Sequence, residues 1–236
     1  MEFTVARTFS SLYIFLDVAW LLTFMGILVY FRKWLALVAG LGMGVVLFLI
    51  DYGLYYQVLG TRHVEGADPF WFLLWFSISY GLAEFAWIWL LLDRDGHGVE
   101  WSLLPILGWV AVSQLSNSYG SGFTEISVSR GVGYHGVMAA ILLAGYAVVV
   151  IRKLRGREQV NVLWLMAIGI GVQFAWEAAL LISGIRPAQW QPIVVNSLIE
   201  TNCGIPILYY VHKFITGWVH RTRIEDDRTE LVSAAS

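Results

Sequence analysis

Charge is scarce in this sequence and cysteine almost missing. Only 14% of the 236 residues are Asp, Glu, Lys or Arg, against about 25% in a soluble domain, and most of these lie between apolar runs. The formal net charge of −2 comes with no basic stripe, which excludes a nucleic-acid partner. The one cysteine, Cys203, allows neither an intrachain disulfide nor a thiolate metal site. No His-x-x-x-His pair occurs and the histidines are scattered, so no soft-ligand metal site is expected. Neither a Gly-x-Ser-x-Gly elbow nor a phosphate-cradling glycine loop is present. A retinal protein needs a lysine in the middle of its last helix, and Lys213 stands at the end of that run.

What the sequence has in abundance is apolar surface. It is 58% hydrophobic, with 12 Trp, 13 Phe and 11 Tyr, and its mean hydropathy is +0.67. That composition implies an all-α, polytopic membrane protein. At about 20 apolar residues per crossing, seven transmembrane helices are predicted, at residues 10–31, 34–57, 69–92, 101–118, 134–151, 159–183 and 192–215. The first run lacks a basic leader and a small-residue cleavage site, and is read as a retained helix. Residues 1–218 form the membrane domain and 219–236 a polar tail, in which the Asp226–Glu230 charge run is read as solvated.

Orientation follows from the basic residues. Arg32 and Lys33, then Arg152, Lys153, Arg155 and Arg157, then Lys213, Arg221, Arg223 and Arg228 fall on one side, the cytoplasmic one. The amino terminus is then outside, the carboxyl terminus is inside, and the connections Thr61–Asp68, Tyr119–Tyr134 and Ser183–Gln191 face outward. A multi-pass protein of the bacterial plasma membrane is the expected localisation, with the lipid bilayer as its surroundings. Phe48-Leu-Ile-Asp51 and Phe174-Ala-Trp-Glu177 each follow a Gly-x-Gly-Val segment, an echo that fits a 3+1+3 arrangement of parallel repeats. Gly40 and Gly44, four residues apart, mark a close helix approach.

Ionisable side chains inside a membrane span are costly and are functional hypotheses by default. At about 1.5 Å of rise per residue, Asp17, Asp51, Glu177 and Glu200 come out at one height in the outer half of four helices, with Glu84 deeper. Gln173 and Glu177 are four apart, as are Asn196 and Glu200, which puts each pair on one helix face. Ser77, Tyr80, Glu84 and Trp87 form a stripe at spacings of three and four. A shared polar cavity is expected. Such a site suits general-acid protonation of an alkene or epoxide, with aromatic faces stabilising the cation and water kept out.

Phe174-Ala-Trp-Glu177, with Leu181-Ile182 and Pro187 after it, resembles the Asn-Phe-Ala-Trp-Glu motif of the small seven-helix integral-membrane terpene cyclases of fungal meroterpenoid and bacterial indole-terpenoid pathways. That family also carries a second intramembrane acid near its last helix, which Glu200 supplies here. The resemblance implies metal-independent, protonation-initiated cyclisation of a prenylated lipophilic small molecule or its epoxide, with no cofactor. Here the motif lies in helix six instead of an early helix, Gln173 replaces its Asn, and helix two offers Asp51 at the equivalent place. Asp51, Glu177 and Glu200 are therefore all catalytic candidates. Asp17, Tyr80, Glu84, Trp87, Gln173, Trp176 and Asn196 are the expected substrate-binding residues. The competing expectation is a proton-coupled transporter of small solutes with a parallel-repeat seven-helix fold.

Overall fold

A computed structural model describes residues 4–130, 135–187, 189–190 and 192–234. The chain is mostly helical. Its elements are β1 (Thr4–Ser10), α1 (Ser11–Tyr30), α2 (Trp34–Phe48), β2 (Arg62–Glu65), α3 (Pro69–Tyr80), α4 (Ala86–Asp93), α5 (Gly98–Tyr119), β3 (Glu125–Arg130), α6 (His135–Leu154), α7 (Val162–Ile182) and α8 (Ser197–Ala234). Segments of π-helix at Leu49–Val58, Gly81–Phe85 and Pro192–Asn196 extend α2, join α3 to α4 and lead into α8. Five helical stretches are long and apolar enough to cross a bilayer: Ser11–Tyr30, Trp34–Val58, Pro69–Asp93, Gly136–Leu154 and Val162–Ile182. Their outward faces carry large apolar side chains such as Phe15, Leu22, Val38, Leu49 and Leu143, an arrangement suited to lipid and unsuited to water.

Two helix starts, those of α3 and α7, follow ordinary capping rules. Asp68 accepts a hydrogen bond from the Trp71 N–H at 3.1 Å ahead of Pro69, and Asn161 does the same for Trp164 at 3.1 Å. The glycines predicted to bring helices together do so. A Cβ on Gly81 would lie 2.3 Å from the Gly44 backbone, and one on Gly40 would lie 3.0 Å from the Leu82 carbonyl oxygen. Gly81→Ala is expected to destabilise the protein by about 1–3 kcal/mol through overpacking, seen as a lower midpoint of reversible unfolding in mixed micelles. Gly53→Ala, whose new methyl meets open space, should leave that midpoint in place.

The sequence reading placed only connections between the spans, and the structure builds a sheet there. β3 is its centre, antiparallel to both β1 and β2, and the Thr8 N–H bonds the Ile185 carbonyl oxygen at 2.9 Å. The segments following α2, α5 and α7 therefore meet the first strand at one end of the bundle. Alternation along the strands turns Arg7 and Phe9 of β1, Arg62 and Val64 of β2, and Ile126 and Val128 of β3 to the buried side. Two arginines are thereby aimed into the protein. The ladder shifts register between Val5 and Arg7, and the Arg186 guanidinium donates to the Ala6 carbonyl oxygen at 3.1 Å, filling the place that an irregular strand leaves open. Residues 131–134, in the predicted connection Tyr119–Tyr134, and Ala188 and Gln191, in Ser183–Gln191, lie outside the described residues.

At the opposite end Lys33 pairs with Asp95 at 2.6 Å. Partial burial opposes ionisation of Asp95, but hydrogen bonds from Lys33, the His97 N–H and the Trp101 indole outweigh it and hold the carboxyl down to about 2. Glu158 is likewise held below the usual carboxylate range, first by the Lys213 ammonium at 2.6 Å and, against its burial, by Tyr209 and Arg152. The last helix does not stop near residue 215 as predicted. Its backbone continues through the expected tail to Ala234.

Candidate functional site

Glu177 is fully buried on α7 and collects donors from four directions. Its Oε1 accepts from Arg186 at 3.0 Å, Asn196 at 3.1 Å, Gln173 at 3.3 Å and Arg7 at 3.3 Å. The Arg186 Nε stands 2.5 Å from the other oxygen. A buried carboxylate is tolerable only with such pairing, and here two guanidiniums share one acid. The four-residue spacing of Gln173 and Glu177 on one helix face is what makes the first link of the chain.

From Glu177 the network runs inward. The Gln173 amide nitrogen also donates to Glu200 at 3.3 Å, while its carbonyl oxygen accepts from Tyr80 at 2.9 Å and from Thr201. The Thr201 hydroxyl lies 2.8 Å from Glu84 Oε2 and 3.0 Å from the Tyr80 hydroxyl. Glu84 is fully buried, and its Oε1 has no hydrogen-bond partner among the described residues. Three acids from the segments around α3, α7 and α8 are thus joined through one amide and one threonine. Trp176 backs this chain, its ring 6.3 Å from that of Tyr80.

The network borders a cavity of about 290 Å³, at the small end of the range for ligand sites. Its walls come from Met43 and Leu47 of α2, Ile50, Asp51 and Tyr55 of the following π-helix, Phe76, Tyr80 and Phe85, Met138 and Ile141 of α6, and Glu200, Thr201 and Cys203 of α8. Arg7 and Arg62 border it from the sheet. Arg62 forms an ion pair with Asp51. Both guanidiniums stand over the Phe76 ring, Arg7 at 5.2 Å and Arg62 at 6.0 Å from its centroid. Asp51, Glu84 and Asn196 each lie in a π-helical segment, an irregularity that recurs at functional sites.

The structure brings together Tyr80, Glu84, Trp176, Gln173, Glu177, Asn196 and Glu200, and puts Asp51 on the same cavity. It does not bring Asp17 or Trp87 there. Asp17 is fully buried on α1, away from the cavity lining, and its Oδ2 accepts from the Trp75 indole at 3.0 Å. Equal depth in a membrane fixes height, but the direction a side chain faces is a separate matter. The stripe that led to Trp87 assumed an unbroken α-period. The wider turn at Gly81–Phe85 rotates everything after it, so the Trp87 indole donates to Ser102 at 3.0 Å and faces a second cavity toward the Arg94–Gly98 connection.

Arg7, Arg62, Arg186 and Thr201 were missed by the sequence reading. For Arg7 and Arg62 a signal existed: each alternates with an apolar residue two positions on, in Arg7-Thr-Phe9 and Arg62-His-Val64, a half-buried strand pattern. Among the described residues no three His, Cys, Asp or Glu side chains group as metal ligands. Comparison of the chain with family models, with curated proteins and with solved structures gives no match.

Proposed function

We propose that the protein is a membrane terpene cyclase that isomerises a prenylated lipophilic substrate, or its epoxide, by metal-independent protonation. One observation carries the reading: an apolar, aromatic-walled cavity holds the Glu200 carboxyl on its surface, with Thr201 and Glu84 hydrogen-bonded behind it. The cavity lies between α6 and the Leu49–Val58 segment, whose other faces expose Leu143, Ile151, Leu49 and Leu54. A lipophilic molecule reaches such a site from the bilayer.

In this reading Glu177 is the ion-pair anchor, because Arg7 and Arg186 occupy it, and the part of acid passes to Glu200. Glu200 gives its proton to an alkene carbon or epoxide oxygen. The resulting cation is attacked by the next double bond of the chain, while the rings of Tyr80 and Phe85 on the cavity wall stabilise it. Loss of a proton to a carboxylate on the wall, Glu200 itself or Asp51, ends the sequence. Substrate and product are isomers.

The finer topology belongs to the same reading. α5 and α8 cross the bilayer as well, giving seven spans, with the sheet outside and the Arg32-Lys33 and Arg152-Lys153 connections in the cytoplasm. The common end at which β1, β2, β3 and Ile185 meet supports it, since strictly alternating crossings bring those segments to one side. Membranes containing the protein, fed farnesylated phenols and indoles or their epoxides, are expected to yield cyclic products of unchanged mass. Recovery of only the starting compounds across that panel would overturn the proposal.

A further inference from the structure

We infer that the substrate of this cavity carries an oxyanion head group, a carboxylate or a comparably acidic oxygen, held by Arg7. The inference rests on the cyclase reading for the prenyl nature of the chain and on geometry for the head group. The Arg7 side chain is only 4% exposed, yet it borders the cavity and, among the described residues, makes one side-chain hydrogen bond, the 3.3 Å contact with Glu177. A guanidinium has five N–H donors in a rigid fork. Its carboxylate partner is shared with Arg186, which lies closer at 3.0 Å.

The remaining Arg7 donors thus border an apolar space with one shared counter-charge, and a desolvated cation in that state is costly until an anion completes its pairing. Phe76 at 5.2 Å and Trp176 at 5.8 Å hold the guanidinium plane in position, so an arriving carboxylate meets a fork already in place. Arg62, over the same Phe76 ring, is already paired with Asp51, so the head group falls to Arg7. Glu200, which holds its proton until the alkene or epoxide takes it, offers no cation to an anionic head group. The charges therefore orient the ligand, with its head at the sheet and its chain along Met43, Leu47 and Phe85.

Cys203 lines the same cavity and is the chain's only thiol, so its alkylation reports occupancy without turnover. Full-length protein in detergent at pH 8 is treated with N-ethylmaleimide in the presence of farnesoic acid, methyl farnesoate or farnesol. The acid is expected to protect Cys203 at a concentration at least tenfold lower than the ester or the alcohol. Arg7→Met should erase that difference and Arg7→Lys should keep part of it. Equal protection by acid and ester in the unsubstituted protein overturns the inference, whether or not the variants fold. If the thiol resists the reagent, thermal stabilisation by acid against ester gives the same comparison. Protection by the acid without isomerisation of any prenylated substrate would sink the cyclase reading alone, and isomerisation with no acid preference would sink the head group alone.

Discussion

Glu200→Gln is expected to lower cyclisation by about 10²–10⁴-fold, the usual size of a general-acid contribution, with folding and membrane insertion unchanged. The substitution keeps the shape of the side chain and a carbonyl oxygen for the Gln173 amide, which now donates to Glu200 at 3.3 Å. What it removes is the transferable proton on the cavity wall. Glu84→Gln should have a smaller effect, because Glu84 is sealed from the cavity and reaches it through Thr201 at 2.8 Å. Initial rates by product mass spectrometry, normalised to protein in the membrane, separate the two. Full turnover by Glu200→Gln would assign the proton elsewhere.

The largest loss of stability is expected at Glu177. Glu177→Leu strands the Arg7 and Arg186 guanidiniums, both buried, and removal of one partner from a buried ion pair costs about 3–5 kcal/mol. Equilibrium unfolding in mixed micelles reads it. Adding Arg7→Met and Arg186→Met to Glu177→Leu should recover much of the loss, since an apolar replacement of a whole buried cluster is often neutral. This pattern distinguishes an anchor from a proton donor: the donor variant loses rate and the anchor variant loses fold. Wild-type stability in Glu177→Leu would show that the arginines do not depend on it.

The helical arithmetic that made the site legible worked where side chains are neighbours on one helix. Gln173 with Glu177 was visible as an i, i+4 pair, and it is the joint on which the network turns. Gly40 and Gly44 were visible as a close approach for the same reason. Depth was weaker: it grouped Asp17 with the other acids, although its carboxyl turns to Trp75. Periodicity failed where the helix changed its period, at Gly81–Phe85, and took Trp87 with it. The sheet was illegible to a search for apolar runs about 20 residues long, because its strands have four to seven residues. Arg7, Arg62 and Arg186 were passed over because basic residues served only as markers of sidedness. Their function depends on β1, β2 and the segment after α7 folding back over the bundle, a long-range arrangement that no local pattern contains.

The most direct measurement is turnover by purified protein after dialysis against EDTA, with product followed by mass and chromatographic retention. Conversion of a prenylated substrate to a cyclic isomer at an unchanged rate is the expected result. Loss of conversion on chelation, restored by added magnesium, would contradict protonation from the Glu200 carboxyl as the initiating step.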